Sequence, residues 1–400
     1  MDRKGALRLS VVGLLVLSLS APAFPRKDPE TGKVRVLYIG DYSASSPYPQ
    51  MEAEPLIDLR FAWPSAMEGL NPSQIRRMFR QYIPRTYTLL AENDAMIISD
   101  ADVFIFEDKH YQWFKDAVIE AGSGLVMIGG NAGFGGRPNP PWSPTVVQDI
   151  LPVWCIVGGW TEGTIEVLRP GHEFLSTLPL EERWAWMGWY DGNQVTLKQQ
   201  AELLGEMVGL RGERSPFWAT WDIGEGRCFA MMGDWTPAGG RRFMRWEYYG
   251  DFAVNLMMYL SRNPIPSDIE TLHRARSLYL EYRSTRAYLF SVMEFAEKMG
   301  ANTNSIGEMI VDAGEDHRAS TEAYIELDFQ GAMTHLDAAI ERLTSAVQRA
   351  MRLKDEAMYW IYIIEWATLA ATFSIGGFVV WTLMVRRRLY REVGETRFIH

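Results

Sequence analysis

The chain has 400 residues, 47% hydrophobic and 22% charged, which is the composition of a globular protein with room for two or three domains. Its formal charge of −10 argues against binding to nucleic-acid backbone, and no basic stripe occurs before the extreme C-terminus. Two cysteines, Cys155 and Cys228, exclude a disulfide framework and a cysteine-based zinc site; they form either one disulfide or two buried free thiols.

In chain order, the basic Asp2–Arg8, the apolar Leu9–Ser20 and the small residues Ala21-Pro-Ala23 read as a secretory signal peptide over residues 1–23, with an uncleaved anchor as the alternative. Lys33-Val-Arg-Val-Leu-Tyr-Ile-Gly-Asp41 predicts a buried strand ending on an acidic residue. A helix start follows at Asn71-Pro72-Ser73, with Ile75, Met78 and Phe79 on one face. Tyr87–Leu90 reads as a short second strand and Asp102–Asp108 as a third, again with an acidic end. Tyr111–Ala121 is an amphipathic helix.

Next comes Gly124-Leu-Val-Met-Ile-Gly-Gly-Asn-Ala-Gly-Phe-Gly-Gly136, where an apolar run empties into five glycines and an asparagine. This predicts a central parallel strand and a sharp turn at its carboxyl end, where open α/β sheets place their sites. Hydrolases with such an elbow carry Ser or Cys at its apex. Here the apex is Gly130 or Asn131, and the stretch holds no thiol or hydroxyl.

Beyond Trp142 the pattern turns to short β runs at Val153–Val157, Gly163–Leu168, Leu203–Leu210, Pro216–Ile223 and Arg227–Met232, the last two joined at Gly224-Glu-Gly226. Seven tryptophans between Trp184 and Trp246 form either core or a sugar-stacking platform. A helix over Phe243–Leu260 ends at Asn263-Pro, a domain boundary. Residues 267–357 read as a stalk of three amphipathic helices broken near Gly300 and Asp328. Residues 358–385 then predict a membrane helix: Trp366–Val385 is twenty residues without a charge, enough to cross about 30 Å of hydrocarbon. Arg386-Arg-Arg388 follows, so the positive-inside rule puts the 386–400 tail in the cytoplasm and the rest outside.

The strand ends are expected to gather Asp41, Glu107, Asp108, Asn131 and Asp234 into one crevice, with His172 on a nearby loop, as a ligand-binding site. No residue is assigned a catalytic role. No His-x-x-His pair suggests a metal, no phosphate-binding glycine motif is present, and no cofactor is implied.

Val36–Asp41, Asp102–Asp108, Gly124–Gly130 with Phe134-Gly-Gly136, Arg169-Pro-Gly-His-Glu-Phe174 and Gly226–Trp235 with Trp246–Tyr249 occur in an order that resembles the class I glutamine amidotransferase-like superfamily, in a branch of microbial membrane proteins. The resemblance covers residues 33–262 and implies a flavodoxin-like, largely parallel doubly wound α/β sheet with a β-rich extension. Active members carry an elbow Cys and a late His-x-Glu pair. Here no His lies between His172 and His273, and Glu173 directly follows His172, so the resemblance implies the fold without the chemistry.

The favoured expectation is a single-pass membrane protein whose silent ectodomain binds a small ligand, a glycan or a partner protein, with the bilayer as its other partner. The stalk and span offer surfaces for self-association. The alternatives are a hydrolase using Asp41, Glu107, His172 and Asp234 in acid/base or metal roles, and a structural subunit.

Overall fold

The computed structural model describes residues 25–40, 46–62, 72–137, 139–180, 190–236 and 242–395. Residues 1–23, expected to be a signal peptide, and Asp41 lie outside these residues. The described chain divides into two compact units. One holds the chain up to Met51 together with Ile57–Ser267; the other holds Glu52–Leu56 and the chain from Asp268 onward.

The first unit is built on nine strands: β1 (Val34–Gly40), β2 (Ile57–Ala62), β3 (Ala95–Ser99), β4 (Gly124–Ile128), β5 (Val153–Val167), β6 (Tyr190–Leu197), β7 (Glu202–Val208), β8 (Arg214–Ile223) and β9 (Gly226–Met231). Their order is β2-β1-β3-β4-β9-β8-β7-β5-β6. The first five run parallel, in the order of a flavodoxin-like sheet. The rest are antiparallel and form the β-rich extension. Strands β3 and β4 are buried along their whole length, as expected of a parallel sheet covered on both faces. The β8–β9 hairpin closes through Gly224-Glu225, with Gly224 at φ +58° as a tight two-residue turn requires.

Helices α1 (Tyr48–Ala53), α2 (Pro72–Tyr82), α3 (Tyr87–Ala91), α4 (Asp108–Ile119), α5 (Val147–Ile150) and α6 (Tyr249–Leu260) accompany these strands. Almost every residue of α6 is buried. Three tryptophans, Trp218, Trp235 and Trp246, are core residues, and Phe243 packs edge-on against Tyr249 and Phe252. These tryptophans therefore serve as core.

Two expected strands are something else. Tyr87–Leu90 is the helix α3, because Thr86 caps it by accepting the Leu89 N–H and Pro84 sits just ahead of it. Asp102–Asp108 is a 3-10 turn over Val103–Ile105 leading into α4, and the strand lies upstream at Ala95–Ser99. Val103, Ile105 and Phe106 are buried all the same; their apolarity packs a loop, with Phe106 edge-on to Phe79, Phe114 and Trp142. The runs Val153–Val157 and Gly163–Leu168 are one strand, β5, bulged between Cys155 and Trp160. Phe243–Leu260 is a 3-10 turn followed by α6. Cys155 and Cys228 are free thiols on β5 and β9, which are not neighbours in the sheet.

The second unit comprises α7 (Ile269–Lys298), α8 (Asn304–Ile325) and α9 (Phe329–Glu395). Leu272, Tyr279, Leu289, Ile306, Tyr324, Leu336 and Leu343 are among the buried residues of its core, and Ala53 and Leu56 pack against it. The buried Glu54 carboxylate accepts from Arg276 Nε at 2.7 Å and from Tyr324 Oη at 3.3 Å. Helix α9 continues without interruption through 67 residues, about 100 Å at 1.5 Å per residue. It is long and apolar enough to cross a membrane. Thr368, Thr372, Ser374 and Thr382 each donate to the carbonyl four residues back, so the hydroxyls of the uncharged stretch are satisfied within the helix.

Candidate functional site

The carboxyl end of the parallel sheet is organised by the turn after β4. Gly129 still donates to Met231 O of β9 at 2.7 Å. A Cβ on Gly129 would lie 1.9 Å from Met232 O, so only glycine allows the two chains this close. Gly130 then takes φ +140°. The fully buried Asn193 of β6 clamps the turn. Its Oδ1 accepts from Gly130 N at 2.9 Å, and its Nδ2 donates to Gly130 O at 3.1 Å and Gly133 O at 3.2 Å. An antiparallel strand thus fixes the elbow of a parallel one.

The space where an elbow side chain would begin is taken. A Cβ on Gly130 would lie 2.3 Å from Cγ of Asp100 and 2.4 and 2.7 Å from its oxygens. Asp100 directly follows β3 at φ +44°, a left-handed conformation that Asp tolerates better than most residues. Its Oδ1 accepts from Ala132 N at 2.5 Å, which ties the carboxylate to the far limb of the elbow. Beside it, the buried Ser99 accepts at Oγ from Trp235 Nε1 at 2.8 Å. The same Nε1 lies 3.2 Å from Tyr38 Oη, and the Tyr38 and Trp235 rings stack. Tyr249 donates to Trp235 O at 2.9 Å. Trp235 therefore joins the ends of β1, β3 and β9 beside the elbow.

The expected site residues divide accordingly. Asn131 is exposed at the elbow, its carbonyl accepting from Arg137 N at 2.7 Å. Asp234 is buried just beyond β9, with its carboxylate holding the backbone N–H and hydroxyl of Thr236. Glu107 and Asp108 do not end a strand; they start α4. Glu107 is its N-cap, forms a reciprocal capping box with His110, and pairs with Arg80 at 2.6 Å and Lys109 at 2.9 Å. Those partners, Lys109 first, hold its carboxyl below the usual range.

His172 is not in the crevice. It packs edge-on against Tyr259 and Phe174, with Nε2 4.0 Å from Glu202. The adjacent Glu173 pairs with Arg227 at 3.4 Å. Arg227 is the second residue of β9 and Asp234 lies beyond its last, so His172 belongs to the amino end of that strand. At about 3.3 Å per residue the two ends are roughly 20 Å apart. Burial pushes the His172 pKa down, which favours the neutral ring among its aromatic neighbours.

Asp100 is the residue the sequence reading missed. Its signal was the run Ala95-Met-Ile-Ile-Ser99 directly before it, a short buried strand overshadowed by the more apolar Val103–Phe106. The thiols are equally far from nucleophilic chemistry. Burial raises Cys155 to about 12 and pushes the fully buried Cys228 higher still. Among the described residues, no three His, Cys, Asp or Glu side chains converge as a metal-ligand set.

Five parallel strands in the order β2-β1-β3-β4-β9, a glycine elbow after the fourth of them and an antiparallel extension define a glutamine amidotransferase-like α/β domain. Residues 76–262 match the GATase1-like family model described as "Putative glutamine amidotransferase". Two solved structures from Salmonella typhimurium, titled cytoplasmic proteins STM1381 and STM3548, are similar to it at 21% and 18% identity. Each match covers 57% of this chain and 99% of the other, with TM-scores of 0.46 and 0.45. A β-galactosidase from Rahnella sp. R3 aligns over 57% of this chain and 32% of its own, at 12% identity and a TM-score of 0.34. No curated protein matches the chain.

Proposed function

We propose that this protein is a membrane-anchored, extracytoplasmic binding protein, in which a catalytically silent amidotransferase-like domain captures a ligand at the carboxyl end of its parallel sheet. The observation that carries this reading is the Asp100 carboxylate in the space of an elbow side chain. A glutaminase needs a thiolate there and a histidine to activate it. This elbow offers a carboxylate, and His172 is at the other end of β9. Carboxylates at Asp100 and Asp234, with Asn131 exposed beside them, favour a ligand bearing amino or hydroxyl groups. A bilayer-spanning α9 is supported by its uncharged stretch and satisfied hydroxyls, and Arg386-Arg-Arg388 directly after that stretch supports a cytoplasmic tail.

A second reading has one observation in its favour. Asp100 holds a positive φ beside the elbow, and strained residues gather at working sites. In that reading Asp100 is the general base of a hydrolase. Incubating the purified protein with glutamine, other amides and esters separates the two. The binding reading expects no turnover; turnover that disappears in Asp100→Asn overturns it. Orientation has its own test: protease added outside intact cells should digest the ectodomain and spare a C-terminal tag.

A further inference from the structure

Apart from the elbow, the α/β unit contains a cleft of about 550 Å³ lined by Arg80, Gln81, Ile83, Pro84, Arg85, Glu107, Lys109 and His110. Its lining carries three permanent cations and one carboxylate in a chain whose formal charge is −10. The single carboxylate is already committed, since Glu107 pairs with both Arg80 and Lys109. Arg85 has no ion-pair partner among the described residues. Among the described residues that line it, the cleft thus keeps a surplus of positive charge.

His110 gives the cleft a built component. It is 3% exposed, and its Nδ1 accepts the backbone N–H of Glu107 at 3.0 Å. That bond leaves the proton of the neutral ring on Nε2, which has no partner among the described residues. Because His110 lines the cleft, this N–H is a donor available to a bound anion. Lys109 and His110 also sit in the first turn of α4, where backbone N–H groups and the helix dipole favour negative charge. The apolar Ile83 and Pro84 complete the lining, so a bound anion would be partly shielded from water.

We propose that this cleft is a second ligand site, built for a small phosphomonoester, with Arg80, Arg85 and Lys109 as its cationic contacts and His110 Nε2 as a neutral donor. Three charged donors around a tetrahedral dianion match better than they would a single carboxylate, which one arginine satisfies in bidentate fashion. The group could arrive on a soluble metabolite or on a lipid headgroup. Both present the same terminal phosphate.

Titration calorimetry of the full chain in detergent, with inorganic phosphate as probe and chloride at matched ionic strength as control, tests the proposal. Phosphate should bind and chloride should not. Arg85→Gln and Lys109→Gln should each weaken phosphate by about tenfold, the loss expected for one charge-assisted hydrogen bond. Arg211→Gln, an equal change of charge on a loop away from the cleft, should leave it unchanged. Both cleft side chains are exposed, so the variants should fold, and an unaltered circular dichroism spectrum checks that. Absence of phosphate binding, or equal weakening by Arg211→Gln, overturns the site. Repeating the titration in nanodiscs with and without phosphatidic acid identifies the source: competition by the lipid assigns the group to a headgroup, and its absence assigns it to a soluble molecule.

Discussion

Replacing Gly130 with alanine probes the elbow directly. The new Cβ would lie within 2.7 Å of three atoms of the Asp100 carboxyl group, so that side chain must leave its bond to Ala132 N. Losing a hydrogen bond to a charged group costs about 1.5–3 kcal/mol. Holding alanine at a φ reserved for glycine adds about 1–3 kcal/mol, so Gly130→Ala should cost about 2.5–6 kcal/mol. Asp100→Gly loses the same hydrogen bond but relieves the positive φ at position 100, recovering up to about 1 kcal/mol. Once Asp100 is gone, Gly130→Ala should cost only its backbone strain. The two substitutions should therefore couple by about 1.5–3 kcal/mol. Urea unfolding followed by tryptophan emission measures all four proteins. Additive costs within about 0.5 kcal/mol would refute the claim that Asp100 fills the elbow.

Three further outcomes are expected. Thiol reagents at pH 7.5 should label neither Cys155 nor Cys228 quickly in the folded protein, and both on unfolding, because burial raises both thiol pKa values; fast stoichiometric labelling of the native chain would contradict this. His172 has a lowered folded pKa, so the unfolded chain takes up its proton first. Its contribution to stability is full above about pH 6.5, falls as pH drops toward the folded value, and is constant below it. His172→Phe should keep the aromatic packing and flatten that part of the stability–pH curve; an unchanged slope would sink the assignment. In the helical unit, Glu54→Ala strands the mostly buried Arg276 and should destabilise by about 3–5 kcal/mol, whereas Glu54→Leu with Arg276→Leu should cost less than Glu54→Ala alone. Loss of helical circular dichroism on heating reads both, and a larger cost for the double variant would contradict the ion-pair account.

Much of the frame was legible because its signals are local. Strand β4 is an uninterrupted apolar run and β1 is apolar except for Arg35, the β8–β9 turn is written in two glycines, and α7 to α9 announce themselves by period and by their breaks at Gly300 and Asp328. The failures have a common cause. Val103–Phe106 is more apolar than Ala95–Ser99, yet the smaller run is the strand, because loop side chains above a sheet end can be as buried as the sheet. Strand β6 reads Tyr-Asp-Gly-Asn-Gln-Val-Thr-Leu, and its polar Asn193 is buried only because the elbow needs a clamp. Asp100 gains its meaning from a contact 32 residues away in sequence, which no local pattern encodes.

The split membership of the helical unit has a consequence for how such proteins diversify. Glu52–Leu56 belongs with α7 to α9, although more than two hundred residues of α/β chain intervene before Asp268. A gene fusion at one junction, the ordinary way of giving a domain a new anchor, would leave the helices without Glu54 and the domain with an orphaned pentapeptide. Exchange of the helical unit must therefore carry a compensating change near the start of the α/β domain. Lineages that keep this stalk should keep an acidic residue at position 54 wherever they keep arginine at 276, so the pair can serve as a marker of common descent for the two-part architecture.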